Sequence, residues 1–143
     1  GIRVALGVRC WVYLPAHLAP LLAGLVLGAN RGLLVGAVVG ICDLLFGGRL
    51  HGMQAYAVMS ELATYGYVAG VLRPRYPTLP SLLPALVGAM LAGRLVYLLF
   101  ALVIGKGLVS SLHGLFVIPW PGILLQLILL PVAALLLLRV LRR

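Results

Sequence analysis

SLLPALVGAMLAGRLVYLLFALVI, residues 81–104, holds one charged side chain, Arg94, in an otherwise apolar run. About 20 apolar residues are enough for a helix to cross the hydrocarbon core of a bilayer, so this stretch reads as a full span. The rest of the chain has the same character: of 143 residues 64% are apolar and 9% charged, with a mean hydropathy of +1.20. A water-soluble domain carries about 25% charged residues. The composition specifies an all-α integral membrane protein, a compact bundle forming a single transmembrane domain over 1–143, with no room for a second domain.

Working outward from residues 81–104, glycine, proline and charge divide the chain into five visible spans. Upstream, Arg73-Pro74-Arg75-Tyr76-Pro77-Thr78-Leu79-Pro80 is a polar connection, because proline cannot continue a helix. Before it come a span from Gln54 to Leu72, a loop through Gly47, Gly48, Arg49, His51 and Gly52, and a span from Gly32 to Phe46. Ala29-Asn30-Arg31 reads as a tight turn, preceded by a short segment, Leu18 to Gly28, at the membrane edge. Downstream, Gly105 to Val117 reads as a loop and Ile118 to Val140 as the last span. The chain opens on Gly1 rather than Met and carries no signal peptide, so a sixth helix is expected upstream.

If every connection reverses the chain, Arg31, Arg73, Arg75, Arg139, Arg142 and Arg143 share one side, and Arg3, Arg9, Arg49 and Lys106 the other. The positive-inside rule puts the richer side, with the C-terminus, in the cytoplasm. Residues 1–17 then lie outside, which again calls for one more span before them. The net charge of +9 is spread over span ends, with no soluble module to present it, and is not a nucleic-acid signal.

Several chemistries are excluded or weak. Cys10 and Cys42 make neither a disulfide framework nor a metal site, and Cys42, in an apolar run, reads as a small core residue. His17, His51 and His113 lack the short spacing of a ligand pair, so no metal is expected. There is no Walker A sequence, GxSxG or HExxH, and Ser60 has no base in register, so the chain does not read as an enzyme.

Glycine recurs every four residues at Gly24, Gly28, Gly32, Gly36 and Gly40, and again at Gly66 and Gly70; Ala85, Ala89 and Gly93 repeat the spacing. Within a helix this is a small-residue face that lets backbones approach closely. It serves packing inside the bundle, docking on another membrane subunit, or each on different helices.

The two carboxylates, Asp43 and Glu61, lie inside apolar stretches. An ionised group in hydrocarbon is costly and marks a functional site by default. At ~1.5 Å per residue, Glu61 lies roughly 10 Å and Arg94 roughly 15 Å below the outer ends of their spans. Consecutive antiparallel helices then bring them to comparable depth, and an ion pair is expected. Such a pair either specifies the fold or, with Tyr65, Tyr97 and Gln126, lines an outward-facing pocket for a polar small molecule. Trp120 reads as an interfacial anchor. Asp43 has no evident partner.

Four motifs in order carry a family resemblance. They are Leu14-Pro15-Ala16-His17-Leu18-Ala19-Pro20-Leu21-Leu22-Ala23-Gly24 with Gly28 and Gly32-Leu33-Leu34-Val35-Gly36; Met59-Ser60-Glu61-Leu62-Ala63-Thr64-Tyr65-Gly66 with Ala69-Gly70; Ala92-Gly93-Arg94-Leu95-Val96-Tyr97; and Pro121-Gly122-Ile123-Leu124-Leu125-Gln126-Leu127 with Pro131. Together they resemble the substrate-binding (S) component of energy-coupling factor vitamin transporters. The resemblance implies a six-helix bundle in a prokaryotic plasma membrane, here without its first helix. It implies a water-soluble vitamin or cofactor precursor bound from outside, and docking on a transmembrane coupling subunit driven by ATPase subunits. The site it implies comprises His17, Gln54, Glu61, Tyr65, Arg94, Tyr97 and Gln126. Arg94 suits a carboxylate substrate such as pantothenate or folate, provided Glu61 does not consume its charge. Gly52-Met53-Gln54 and Pro15-Ala16-His17 depart from the family's usual Gly-Met-Pro-like and Pro-Met-His runs. The alternative is a non-transporting envelope scaffold similar to the MreD rod-shape family, with an apolar, plugged interior. A small secondary transporter would need an inverted repeat, and none is evident beyond the glycine spacing.

Overall fold

The computed structural model describes residues 16–46, 52–113 and 120–141. Helix follows helix: α1 Ala16–Leu27, α2 Ala29–Phe46, α3 Met53–Val71, α4 Leu79–Val103, α5 Leu108–Leu112 and α6 Trp120–Leu141. There is no strand among the described residues. Helices α4 and α6 are long and apolar enough to cross a membrane, while α1 is apolar but shorter. The expectations for Cys10, for the loop through His51, for Arg3, Arg9, Arg49, Arg142 and Arg143, and for Leu14-Pro15 fall outside the described residues.

Two connections differ from the sequence reading. Ala29, Asn30 and Arg31 are not a turn but the first residues of α2. The reversal is made by Gly28 alone, at φ 100°, a left-handed conformation that costs glycine nothing. Its N–H still bonds to the Gly24 carbonyl, and its own carbonyl accepts from the Gly32 N–H, so the backbone remains satisfied through the bend. A Cβ added to Gly32 would sit 2.6 Å from the Gly24 Cα. In a straight helix those residues would be about 12 Å apart, so α1 and α2 fold sharply back on each other. The second difference is α5, inside the segment read as a loop. There the Ser111 N–H and the Ser110 hydroxyl both bond to the Gly107 carbonyl, closing a first turn.

Helix α2 runs antiparallel to α3, with glycine backbone against backbone. A Cβ on Gly32 would strike the Gly66 carbonyl, one on Gly36 the Leu62 carbonyl, and one on Gly40 the Met59 side chain. Position rises on α2 as it falls on α3. Gly24 of α1 meets the same Gly66 carbonyl, and Gly70 lies against the backbone of Ala29. The four-residue spacing is therefore an internal seam on these helices.

The apolar core gathers Leu21 and Leu25 of α1, Leu62, Tyr65 and Ala69 of α3, Leu82, Ala85, Leu86, Ala89 and Met90 of α4, and Leu130 and Ala134 of α6. No α2 residue is among these, and Cys42, expected in the core, is exposed on the outer face of α2. Outward, Leu34 and Leu45 of α2, Leu95 and Leu99 of α4, and Ile128 and Leu136 of α6 are exposed.

One end of the bundle collects the arginines. The Arg73 guanidinium, just past α3, donates to the Val26 carbonyl in the last turn of α1 (2.9 Å). That contact ties the α3–α4 connection to the α1–α2 reversal, where Arg31 begins α2. The same connection faces the last turn of α6 across a groove lined by Thr78 and Arg139. Arg31, Arg73, Arg75 and Arg139 thus belong to one end, as alternation of the helices requires.

Candidate functional site

The chain's one buried carboxylate among the described residues is Glu61, 3% exposed, near the middle of α3. The helical period puts Tyr65 one turn on along the same face. Its hydroxyl donates to Glu61 Oε1 at 2.5 Å. From α4, Arg94 Nη1 approaches the same oxygen at 3.5 Å. One carboxylate oxygen therefore serves a phenol and a guanidinium, from its own helix and from the next.

Close packing makes this possible. Gly93 precedes Arg94, and a Cβ there would run into the Tyr65 ring. Its absence lets α4 settle on the ring, bringing Arg94 to Glu61. On the other side, the His17 ring of α1 lies against Tyr65, centroids 5.5 Å apart and planes tilted by 54°. His17 is itself buried. Three helices thus meet at Tyr65, which is 1% exposed.

The pair is incompletely satisfied. Arg94 Nε is buried and has no hydrogen-bond partner among the described residues. A guanidinium presents five donors in a fixed fork and binds a carboxylate best with two of them. A single 3.5 Å approach leaves most of that capacity unused. Burying a charge without full pairing is costly, and this guanidinium keeps more anion-binding capacity than Glu61 consumes.

The expected site residues divide into two sets. His17, Glu61, Tyr65 and Arg94 come together. Tyr97, one turn from Arg94 on α4 and half-buried, lies within electrostatic reach of both charges. Gln54 lies in the first turn of α3, two turns from Glu61, and Gln126 is buried on α6; neither is hydrogen-bonded to the cluster among the described residues. Asp43 is half-buried near the end of α2 and has no ion pair among the described residues. No group of three metal-binding side chains occurs among the described residues. Sequence reasoning paired Glu61 with Arg94 but missed Gly93 as the seat of the Tyr65 ring, and missed the buried Ser111 hydroxyl, which has no partner among the described residues. A glycine directly before an arginine in an otherwise apolar run was the available signal for the first.

Comparison with family models, with characterised proteins and with solved structures finds no match. The resemblance to the S components rests on the quoted motifs alone.

Proposed function

We propose that the chain is a multi-pass membrane protein in which α1 to α4 and α6 form a bundle, and that it captures a small anionic solute, as an S component of an energy-coupling factor vitamin transporter does. The bundle reading is supported by the exposed leucines of α2, α4 and α6: in water they would make an extended adhesive surface, and in hydrocarbon they are the solvated one. The arginine-rich end then faces the cytoplasm. The capture reading is carried by Arg94, a buried guanidinium with an unpartnered Nε beside Glu61, Tyr65 and His17. A ligand carboxylate arriving from the opposite end would complete the fork, with Tyr65 and Tyr97 as aromatic walls and Gln54 and Gln126 joining as the helices adjust. Delivery inward would require a coupling subunit and ATPase subunits, since this sequence carries no Walker A motif.

Thermal unfolding of the purified protein against a panel of water-soluble vitamins tests this. A carboxylate-bearing vitamin at about 100 times its Kd should stabilise the fold by about 2.7 kcal/mol. Arg94→Gln should abolish that shift. No stabilisation by any member of the panel would overturn the capture reading.

A scaffold reading is favoured by one observation: Tyr65 is closed in on Gly93, so the interior beside the ion pair is filled. On that reading Arg94→Gln lowers stability and nothing else.

A further inference from the structure

At the arginine-rich end, a groove of about 370 Å³ runs between the α3–α4 connection and the last turns of α6. Its lining is graded. Thr78 and Arg139 supply polar groups, and Pro77, Leu79, Leu135 and Leu138 supply apolar ones. Leu135, Leu138 and Arg139 share one face of α6, since residues three and four apart are neighbours on a helix. Leu135 lies about 6 Å further into the bundle than Arg139. The groove therefore passes from cationic at its mouth to hydrocarbon-like along its length.

The charge around it is uncompensated. Among the described residues, Arg31, Arg75 and Arg139 form no hydrogen bond or ion pair, and Arg73 is engaged with a backbone carbonyl. Neither carboxylate is at this end. Glu61 is mid-helix and paired with Arg94, and Asp43 is twelve positions along α2 from Arg31, roughly 18 Å away.

We propose that this groove seats an anionic phospholipid. The phosphodiester meets the Arg139 guanidinium, and an acyl chain descends along Leu138 and Leu135. Guanidinium matches the geometry of phosphate oxygens, and basic pockets between membrane helices favour anionic headgroups. A cavity of this volume falls within the range of small-ligand sites, about 300–1,000 Å³. The inference rests on the membrane reading but not on the identity of any solute bound near Arg94.

The test has two stages. Flotation of the purified protein with phosphatidylcholine vesicles addresses the membrane reading. Native mass spectrometry of protein reconstituted in mixed phosphatidylcholine and phosphatidylglycerol then measures which lipid is retained. Phosphatidylglycerol should be enriched, and Arg139→Gln should reduce the enrichment about fivefold, the equivalent of one basic residue at a membrane surface. Arg139→Lys should keep most of it. Arg31→Gln, at the same end but outside the groove, should leave it unchanged. Inorganic phosphate should fail to displace the lipid. Failure to float overturns the membrane reading and this inference together. Flotation without phosphatidylglycerol enrichment overturns only the inference. So does an equal loss in Arg31→Gln and Arg139→Gln, which would mean a diffuse field, or displacement by inorganic phosphate, which would mean a headgroup site without a tail.

Discussion

Helix α3 meets α2 and α4 by opposite means. Against α2 it presents the Gly66 and Leu62 carbonyls to Gly32 and Gly36, where side chains would otherwise be. Against α4 it presents Glu61 and Tyr65 to Arg94 and Gly93. The first interface is backbone-tight at Gly32 and Gly36, has the Met59 side chain against Gly40, and holds no hydrogen bond or ion pair to exchange among the described residues. The second is held by polar groups that are only partly satisfied, and it can exchange one partner for another. A bundle built this way has a stiff half, α1 to α3, and a half whose contacts can be renegotiated.

The largest effects should come from the α3–α4 side. Glu61→Ala leaves Arg94 buried without a counter-charge, and a loss of about 3–5 kcal/mol is expected in thermal or chemical unfolding. Replacing both members, Glu61→Leu with Arg94→Met, should recover most of that, because an apolar pair of similar volume has no charge to desolvate. If the double variant is as unstable as the single, the two residues are not coupled and the contrast between the interfaces fails.

On the other side, Gly66→Ala forces a methyl against the Gly32 carbonyl, a backbone atom that cannot swing away. About 1–3 kcal/mol should be lost. Because the seam holds no exchangeable contacts, any ligand that the wild-type protein binds should be bound by the folded fraction with unchanged affinity. A changed affinity would show that the stiff half also adapts.

The smallest effect is expected at Arg73→Gln, which removes an exposed donor from the C-terminal turn of α1. A loss of about 0.5 kcal/mol is expected, measurable as a small decrease in the unfolding midpoint. A loss as large as that of Gly66→Ala would mean that α1 depends on the α3–α4 connection more than its burial implies.

The Glu61–Arg94 pair was legible from sequence, because helical rise converts position into depth and consecutive spans are antiparallel. The glycine spacing was legible as a packing face for the same periodic reason. Its partners were not: spacing says which residues share a face, and nothing in it distinguishes Gly66 from Gly70 or Gly93 as the residue opposite Gly32. The α1–α2 reversal was misplaced because Asn30 and Arg31 are polar and Gly28 is one more glycine in a series. A positive φ leaves no mark in composition. Gln54 and Gln126 illustrate a further limit, since polarity in an apolar run marks a residue as unusual without giving its azimuth relative to Arg94. The short α5 was hidden because five residues do not establish a helical period.

The Arg73–Val26 bond joins residues 47 positions apart in the chain. The end of α1 is therefore completed by a side chain synthesised only after α2 and α3. Until Arg73 is in place the Val26 carbonyl must be held by another donor, such as water. The α1–α2 hairpin should accordingly remain sensitive to protease or chemical probes in nascent chains truncated before Arg73, and become protected once that residue has emerged.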